Sequence, residues 1–235
     1  VIGCLFLFEP EKCLAKVPFD PTQLPVDAIA GEAALPPERL TAAWLRRRFA
    51  ESPEWQPERP DESWMRPLRT LKRAAVLVPV VQRPEGLTML LTQRTAHLAN
   101  HAGQVSFPGG RTEELDSSPI ETALRESEEE IGLHRRHVEI VGVLPDYVTV
   151  TGYRVTPVVA LLTPPFELAA DPNEVAEIFE VPLAFLMDGA NHRRQSIELP
   201  EGAGRRSFYA MSYERFYIWG ATAGMLRNLF HFLRA

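Results

Sequence analysis

Two apolar runs, AAVLVPVV at 74–81 and LTMLLTQ at 87–93, flank Pro84-Glu85-Gly86 and predict a β-hairpin, since turn residues between β-rich runs mark a chain reversal. Similar runs predict strands at 138–144, 155–162, 194–199, 207–213 and 215–220. Helical spacing replaces this pattern at about 119–131 and 220–234, and more weakly at 173–179 and 182–187. In the first of these, Ile120, Leu124, Ser127 and Ile131 predict the buried stripe. Ser118 as N-cap, Pro119 in the first turn and Gly132 beyond the last turn set its ends. On the last helix Ala223, Leu226, Phe230 and Leu233 extend a stripe from Trp219, and Gly220 and Gly224 are expected to let it pack closely on a sheet.

The first 70 residues have a different texture, with 10 of the 21 prolines and three of the four tryptophans. They predict one helix, at about 37–51, where Leu40, Trp44 and Leu45 share a face and Arg46–Arg48 form a solvated one. The chain is therefore divided into a proline-rich N-terminal extension, 1–72, and a domain at 73–235. Strands with interspersed helices predict an α/β fold for that domain, a mixed β-sheet covered by helices on both faces.

Composition narrows the function. A formal charge of −6 argues against nucleic acid as a partner, because nucleic-acid binders need a basic face to replace phosphate counterions. Cys4 and Cys13 both lie near the start, so no disulfide framework is expected and a reducing, cytoplasmic setting is. The opening run VIGCLFLF is too short to cross a bilayer, and no membrane partner is expected. Homodimer formation is left open. Tyr153, Tyr209 and Trp219 are read as core residues rather than as stacking platforms for a base.

The charge is not spread evenly. Residues 111–130 hold eight acids and two bases, so the remainder of the chain is formally neutral. Within this stretch Glu126, Glu129 and Glu130 fall at helical spacings that let three carboxylates converge on one patch. Like charges so spaced repel unless a cation joins them, and carboxylate oxygens suit Mg²⁺ or Mn²⁺.

The segment FPGGRTEELDSSPIETALRESEEEIGL, 107–133, resembles the Nudix box, G-x5-E-x7-R-E-U-x-E-E-x-G-U with U aliphatic. Gly110, Arg125, Glu126, Glu129, Glu130, Gly132 and Leu133 match it. Three positions depart: Asp116 replaces a Glu, eight residues instead of seven separate it from Arg125, and Ser127 replaces an aliphatic residue. The resemblance implies a Nudix-type α/β/α sandwich and a hydrolase of nucleoside diphosphates using Mg²⁺ or Mn²⁺. It implies Glu126, Glu129, Glu130 and the Gly109 carbonyl as metal ligands, with Arg125 orienting the glutamates. An additional base is sought at Glu174 or Glu177, in DPNEVAEIFEVPL.

Upstream, LLTQRTAHLANHAGQVSFPGG at 90–110 is similar to the motif of the coenzyme A pyrophosphatase branch, L-L-T-x-R-[S/A]-x3-R-x3-G-x3-F-P-G-G. Thr95 stands for its small Ser or Ala, and Ala99 for a basic residue. This resemblance implies coenzyme A or its thioesters as the small-molecule partner, cut to 3′,5′-ADP and a 4′-phosphopantetheine product. The coenzyme carries a 3′-phosphate, so a selective site needs a further cation; Arg94 is the motif residue available, with His101, Arg111 and His97 nearby. Gly103 and Phe107 complete the expected substrate set. The basic clusters 134–137 and 192–194 are read as solvated loops. Ala99 keeps open ADP-ribose, a nicotinamide dinucleotide or a noncanonical nucleoside triphosphate as substrate. A silent nucleotide-binding module is the remaining alternative, though it has no need of three repelling carboxylates.

Overall fold

Strands β2 (Lys72–Arg83) and β8 (Tyr153–Leu162) run parallel, side by side from Lys72 opposite Tyr153 to Val81 opposite Leu162; β1 is the short Ala28–Ile29. Both long strands are covered on both faces, which is why each reads as an unbroken apolar run. The computed structural model describes residues 20–51, 53–58, 71–97, 103–198 and 204–235. Around the central pair lie β3 (Gly86–Arg94), β4 (Val105–Ser106), β5 (Gly109–Arg111), β6 (Val138–Val143), β7 (Tyr147–Val148) and β9 (Val175–Pro182), all antiparallel to their neighbours. Arg83 pairs with Gly86 to close the expected hairpin. A second sheet has the order β1, β10 (Arg193–Glu198), β11 (Arg205–Tyr213), β12 (Phe216–Trp219).

Helices cover both faces of the larger sheet, giving the α/β architecture expected from the sequence. On one face α2 (Pro119–Ile131) packs over Ala75, Leu77, Val158 and Ala160; on the other, α4 (Ala221–Arg234) adds Leu226, Leu229, Phe230 and Leu233 to the larger core. The other α-helices among the described residues are α1 (Ala42–Glu51) and the single turn α3 (Leu183–Leu186). Helix α2 has the expected ends: the Ser118 hydroxyl accepts from the Glu121 N–H, and Gly132 closes the helix in a left-handed conformation at φ 67°. Its buried side is turned slightly from the expected stripe. Ala123, Ser127, Glu130 and Ile131 point inward while Leu124 is only half-buried, because small residues let the helix approach β2 and β5 closely. Ser127, at the aliphatic position of the motif, donates its buried hydroxyl to the Ala123 carbonyl at 2.6 Å.

Three expectations are corrected. Residues 173–179 do not form a helix; β9 begins at Val175, and its backbone groups pair with β3, so tertiary hydrogen bonding overrides a weak local signal. Arg48 is not on a solvated face: it is 7% exposed, lies over the Phe232 ring and donates from Nε to the Phe232 carbonyl. Its neighbours Arg46 and Arg47 do stay at the surface. His192 is buried, donating from Nε2 to the Leu186 carbonyl while Nδ1 accepts from Arg227. Burial holds it below the ordinary histidine pKa.

The described part of the extension shares the core of the main domain. Leu35 and Leu45 are buried in the larger cluster, β1 pairs with β10, and Arg39 donates to the last carbonyls of α4. A further tie is electrostatic. Arg227 of α4, 5% exposed, grips the Glu32 carboxylate with both terminal nitrogens and donates from Nε to Glu58 at 3.0 Å. Glu58 also accepts from Tyr209 and His231.

The Arg227 contact holds the Glu32 carboxyl at about 2 against the opposing effect of burial. Burial would raise Glu58, but hydrogen bonds from His231, Tyr209 and Arg227 bring it down to about 2. Both values lie below the unfolded 4.5, so the stability they contribute is present above that pH and is lost as pH falls towards 2. Glu32→Gln is expected to cost on the order of 2 kcal/mol at pH 7, moderated by partial exposure, and progressively less below pH 4.5. Urea denaturation of both proteins across that range checks it; an equal cost at every pH would show that the ion pair is not responsible.

Candidate active site

Strand β5 crosses β2 with Gly109 opposite Val76 and Gly110 opposite Ala75. A Cβ at Gly109 would stand 2.5 Å from the Ala75 carbonyl oxygen, and φ there is +150°. A Cβ at Gly110 would stand 2.6 Å from the Glu126 carboxylate, so the acidic helix rests directly on glycine backbone. One turn further on, Glu130 Oε2 accepts from the Gly109 N–H at 3.1 Å, and Oε1 lies 3.6 Å from Arg94 Nη1.

Removing these two carboxylates from water shapes their titration. Burial pushes Glu130 up to about 7, against the Gly109 hydrogen bond and the Arg94 charge, with Glu174 and Glu126 adding to the rise. Burial also raises Glu126, against the pull of Arg125, while Glu129 and Glu174 reinforce it. Both groups are therefore costly as free anions and are poised to gain from a cation.

Arg125 organises the outer side. Its Nε and Nη2 bind both Asp116 oxygens at 3.0 Å, Nη2 also reaches the Arg111 carbonyl and Glu126, and Nη1 donates to Glu129. The guanidinium holds Asp116 well below the usual carboxylate range, and Asp116 also accepts from the Glu113 N–H and the Thr122 hydroxyl. The longer loop with its shorter acid thus still delivers a carboxylate to Arg125, a role that spacing alone did not reveal.

The expected convergence of three glutamates is met by two. Glu129 stands outward, its side chain 61% exposed and tied to Arg125. Among the described residues no three histidine, cysteine, aspartate or glutamate side chains stand close enough to enclose an ion as placed. The site nevertheless fits a divalent cation: the hard carboxylates of buried Glu130 and half-buried Glu126 face a strip of glycine backbone that any Cβ at Gly110 would fill.

Glu174 is exposed on the loop before β9, near enough for its charge to act on Glu126 and Glu130. Glu177, the other sequence option, is paired with Arg215. Arg94 ends β3 beside Glu130, and its buried Nε has no hydrogen-bond partner among the described residues. Gly103 has φ +69°, and its carbonyl accepts from Gln93. Arg111 is exposed next to Gly110. Phe107 is corrected from substrate contact to core: it is 3% exposed and packed among the apolar side chains of the larger cluster. His101 and Ala99 lie outside the described residues, and His97 is exposed beside Thr95. Tyr153 and Tyr209 are partly buried against the larger core, beneath Lys72 and Arg227, and Trp219, half-buried, packs on Phe208.

A family model described as the NUDIX domain matches residues 71–199. The Escherichia coli O7:K1 (strain IAI39 / ExPEC) protein called "Uncharacterized Nudix hydrolase NudL" is 43% identical over 158 residues, covering 67% of this chain and 81% of that one. The protein of the same name from Escherichia coli strain K12 matches with the same identity and coverage. Among solved structures, RenU, a Nudix hydrolase from M. smegmatis, matches 49% of this chain and 73% of its own at 21% identity and a TM-score of 0.42. With more than half of its length matched by the family model, and with Gly110, Arg125, Glu126 and Glu130 gathered at one site, the chain belongs to the Nudix hydrolases, enzymes acting on pyrophosphate bonds.

Proposed function

We propose that this Nudix hydrolase cleaves the diphosphate of coenzyme A or its thioesters, with Mg²⁺ or Mn²⁺, to 3′,5′-ADP and a 4′-phosphopantetheine product. The observation that carries this reading is Arg94. It lies in the segment that resembles the coenzyme A pyrophosphatase motif, and its guanidinium stands against the buried Glu130 with an Nε–H that has no hydrogen-bond partner among the described residues. A phosphate oxygen beside the carboxylates offers that donor an acceptor.

The reaction adds water across the P–O–P bridge: one P–O bond forms, the bridging bond breaks, and two phosphomonoesters leave. Divalent cations supply charge neutralisation of the diphosphate and acidification of a water molecule. Glu126 and Glu130, with Glu129 turned inward, would hold them against the Gly109-Gly110 backbone. Arg125 keeps Glu126 oriented through Nη2, while the fork of Nε and Nη2 anchors the guanidinium on Asp116. Glu174 takes the proton of the attacking water, and Arg94 binds a phosphate oxygen. Arg111, exposed beside Gly110, is a second cation for the 3′-phosphate. Ala99, which removes a base from the motif, favours the competing reading of ADP-ribose or a dinucleotide as substrate.

Hydrolysis of coenzyme A in ¹⁸O water, with products identified by mass spectrometry, tests the reaction and reports the phosphorus attacked. A kcat/KM for coenzyme A about tenfold or more above that for the 3′-dephospho form is expected, about 1.4 kcal/mol for one charge-assisted contact; equal values would exclude recognition of the 3′-phosphate. Glu130→Gln should lower kcat by about 10³-fold without lowering Tm, since a buried carboxylate becomes a neutral amide. A variant as active as the parent would remove Glu130 from the metal set. Gly110→Ala should displace Glu126, raise the metal concentration needed for half-maximal rate, and cost about 1–3 kcal/mol in stability by overpacking. An unchanged metal requirement would show that the glycine cradle is irrelevant.

A further inference from the structure

The loop that carries Glu174 is held at both ends, and one of its ties comes from a side chain outside the metal and phosphate set. At one end, the Ala169 and Asp171 N–H groups donate to the carbonyls of Ile131 and Glu130, at 2.9 Å each. Any movement of this end is thereby coupled to the backbone of Glu130 itself. Asp171 then folds the loop: its carboxylate accepts from the Asn173 backbone and side chain, and its carbonyl from the Glu174 and Val175 N–H groups.

The other end meets Thr95. Pairing of β3 with β9 runs regularly to Gln93 opposite Glu177 and then slips, so that Arg94 faces Val175. Such an irregularity leaves an extra residue in one strand and bends the chain beyond it. Immediately past the slip, the Thr95 N–H donates to the Glu174 carbonyl at 3.0 Å and the Thr95 hydroxyl to the Asn173 carbonyl at 3.0 Å. Thr95 is 6% exposed, so water is poorly placed to replace that second bond. Two consecutive carbonyls, 173 and 174, are thus clamped by one residue that directly follows Arg94.

The geometry points to Thr95 as a positioning residue for Glu174: its hydroxyl fixes the loop so that the Glu174 carboxylate stays on the side of Glu126 and Glu130. The motif that this segment resembles has a small Ser or Ala here, of which Ser would keep the hydroxyl and Ala would lose it. This inference rests on the reading of Glu174 as the base. Thr95 touches neither substrate nor metal in this role; it acts only by limiting where Glu174 points.

The test combines Thr95→Val, which preserves shape and removes the hydroxyl, with Thr95→Ser, which keeps it. Amide hydrogen exchange on the metal-free protein is read by mass spectrometry over peptides covering 169–177. Thr95→Val should speed exchange there and leave α2 unchanged, while Thr95→Ser should match the parent. Turnover is measured with Mg²⁺ on whichever of coenzyme A, ADP-ribose and NADH the parent cleaves fastest. Thr95→Val should lower kcat about tenfold with KM within about twofold, the pattern of a misplaced group. In a Glu174→Gln background the same change should alter kcat less than about twofold, since its effect is already lost. Unchanged exchange, or an equal loss of kcat in both backgrounds, would overturn the role of Thr95. A Glu174→Gln variant with parental kcat would instead overturn Glu174 as the base, whatever the exchange shows.

Discussion

Strand β5 passes between β2 and the acidic helix with no room for a side chain at Gly109 or Gly110. This constraint sets the distance between the sheet and α2. Because the helix lies so close, Ala123 and Ser127 form its inner surface and Glu130 reaches the Gly109 N–H. A larger residue at Gly109 would push β5 off β2, and one at Gly110 would displace the Glu126 carboxylate. The same contact that closes the core on this face creates the site.

Close approach has an electrostatic cost, and the surrounding residues distribute it. Glu126 and Glu130 lose hydration, and burial raises both. Arg125 and Arg94 offset part of that cost, one through an Nη2 contact with Glu126 and one through its charge beside Glu130. Asp116 keeps the first guanidinium in place and, by accepting from the Glu113 N–H and the Thr122 hydroxyl, also shapes the loop between β5 and α2. What remains uncompensated is the charge of the carboxylates facing the glycines, and this is what a divalent cation and an anionic diphosphate together would neutralise.

Away from the site, one buried guanidinium performs a comparable task. Arg227 joins Glu32 and Glu58, from the proline-rich extension, to the last helix. Among the described residues of the extension, Leu35 and Leu45 are buried in the larger core, and Leu40, Trp44, Phe49 and Trp55 pack against it. A charge that becomes costly when unpaired makes its docking specific. His192 completes the arrangement in its neutral form, because a protonated ring would face the Arg227 charge without a vacant acceptor.

Periodicity and punctuation made most of the fold legible: the hairpin at Pro84-Glu85-Gly86, the capped helix at 119–131, the last helix and the alternation of strands and helices all depend on local spacing. The acidic motif was legible for the same reason, since residues four apart on a helix share a face wherever the helix lies. Strand β9 was not legible, because its pairing with β3 joins segments about 85 residues apart and no local propensity encodes that ladder. Nor were the burial of Arg48 and His192 or the pairing of Glu177 with Arg215; each depends on which distant partner arrives beside it. By itself the sequence determined the chemistry available, a concentrated group of carboxylates behind two glycines. Only the tertiary structure decided which carboxylates lose water and which keep it, since desolvation is a property of the packed surroundings and not of the residue.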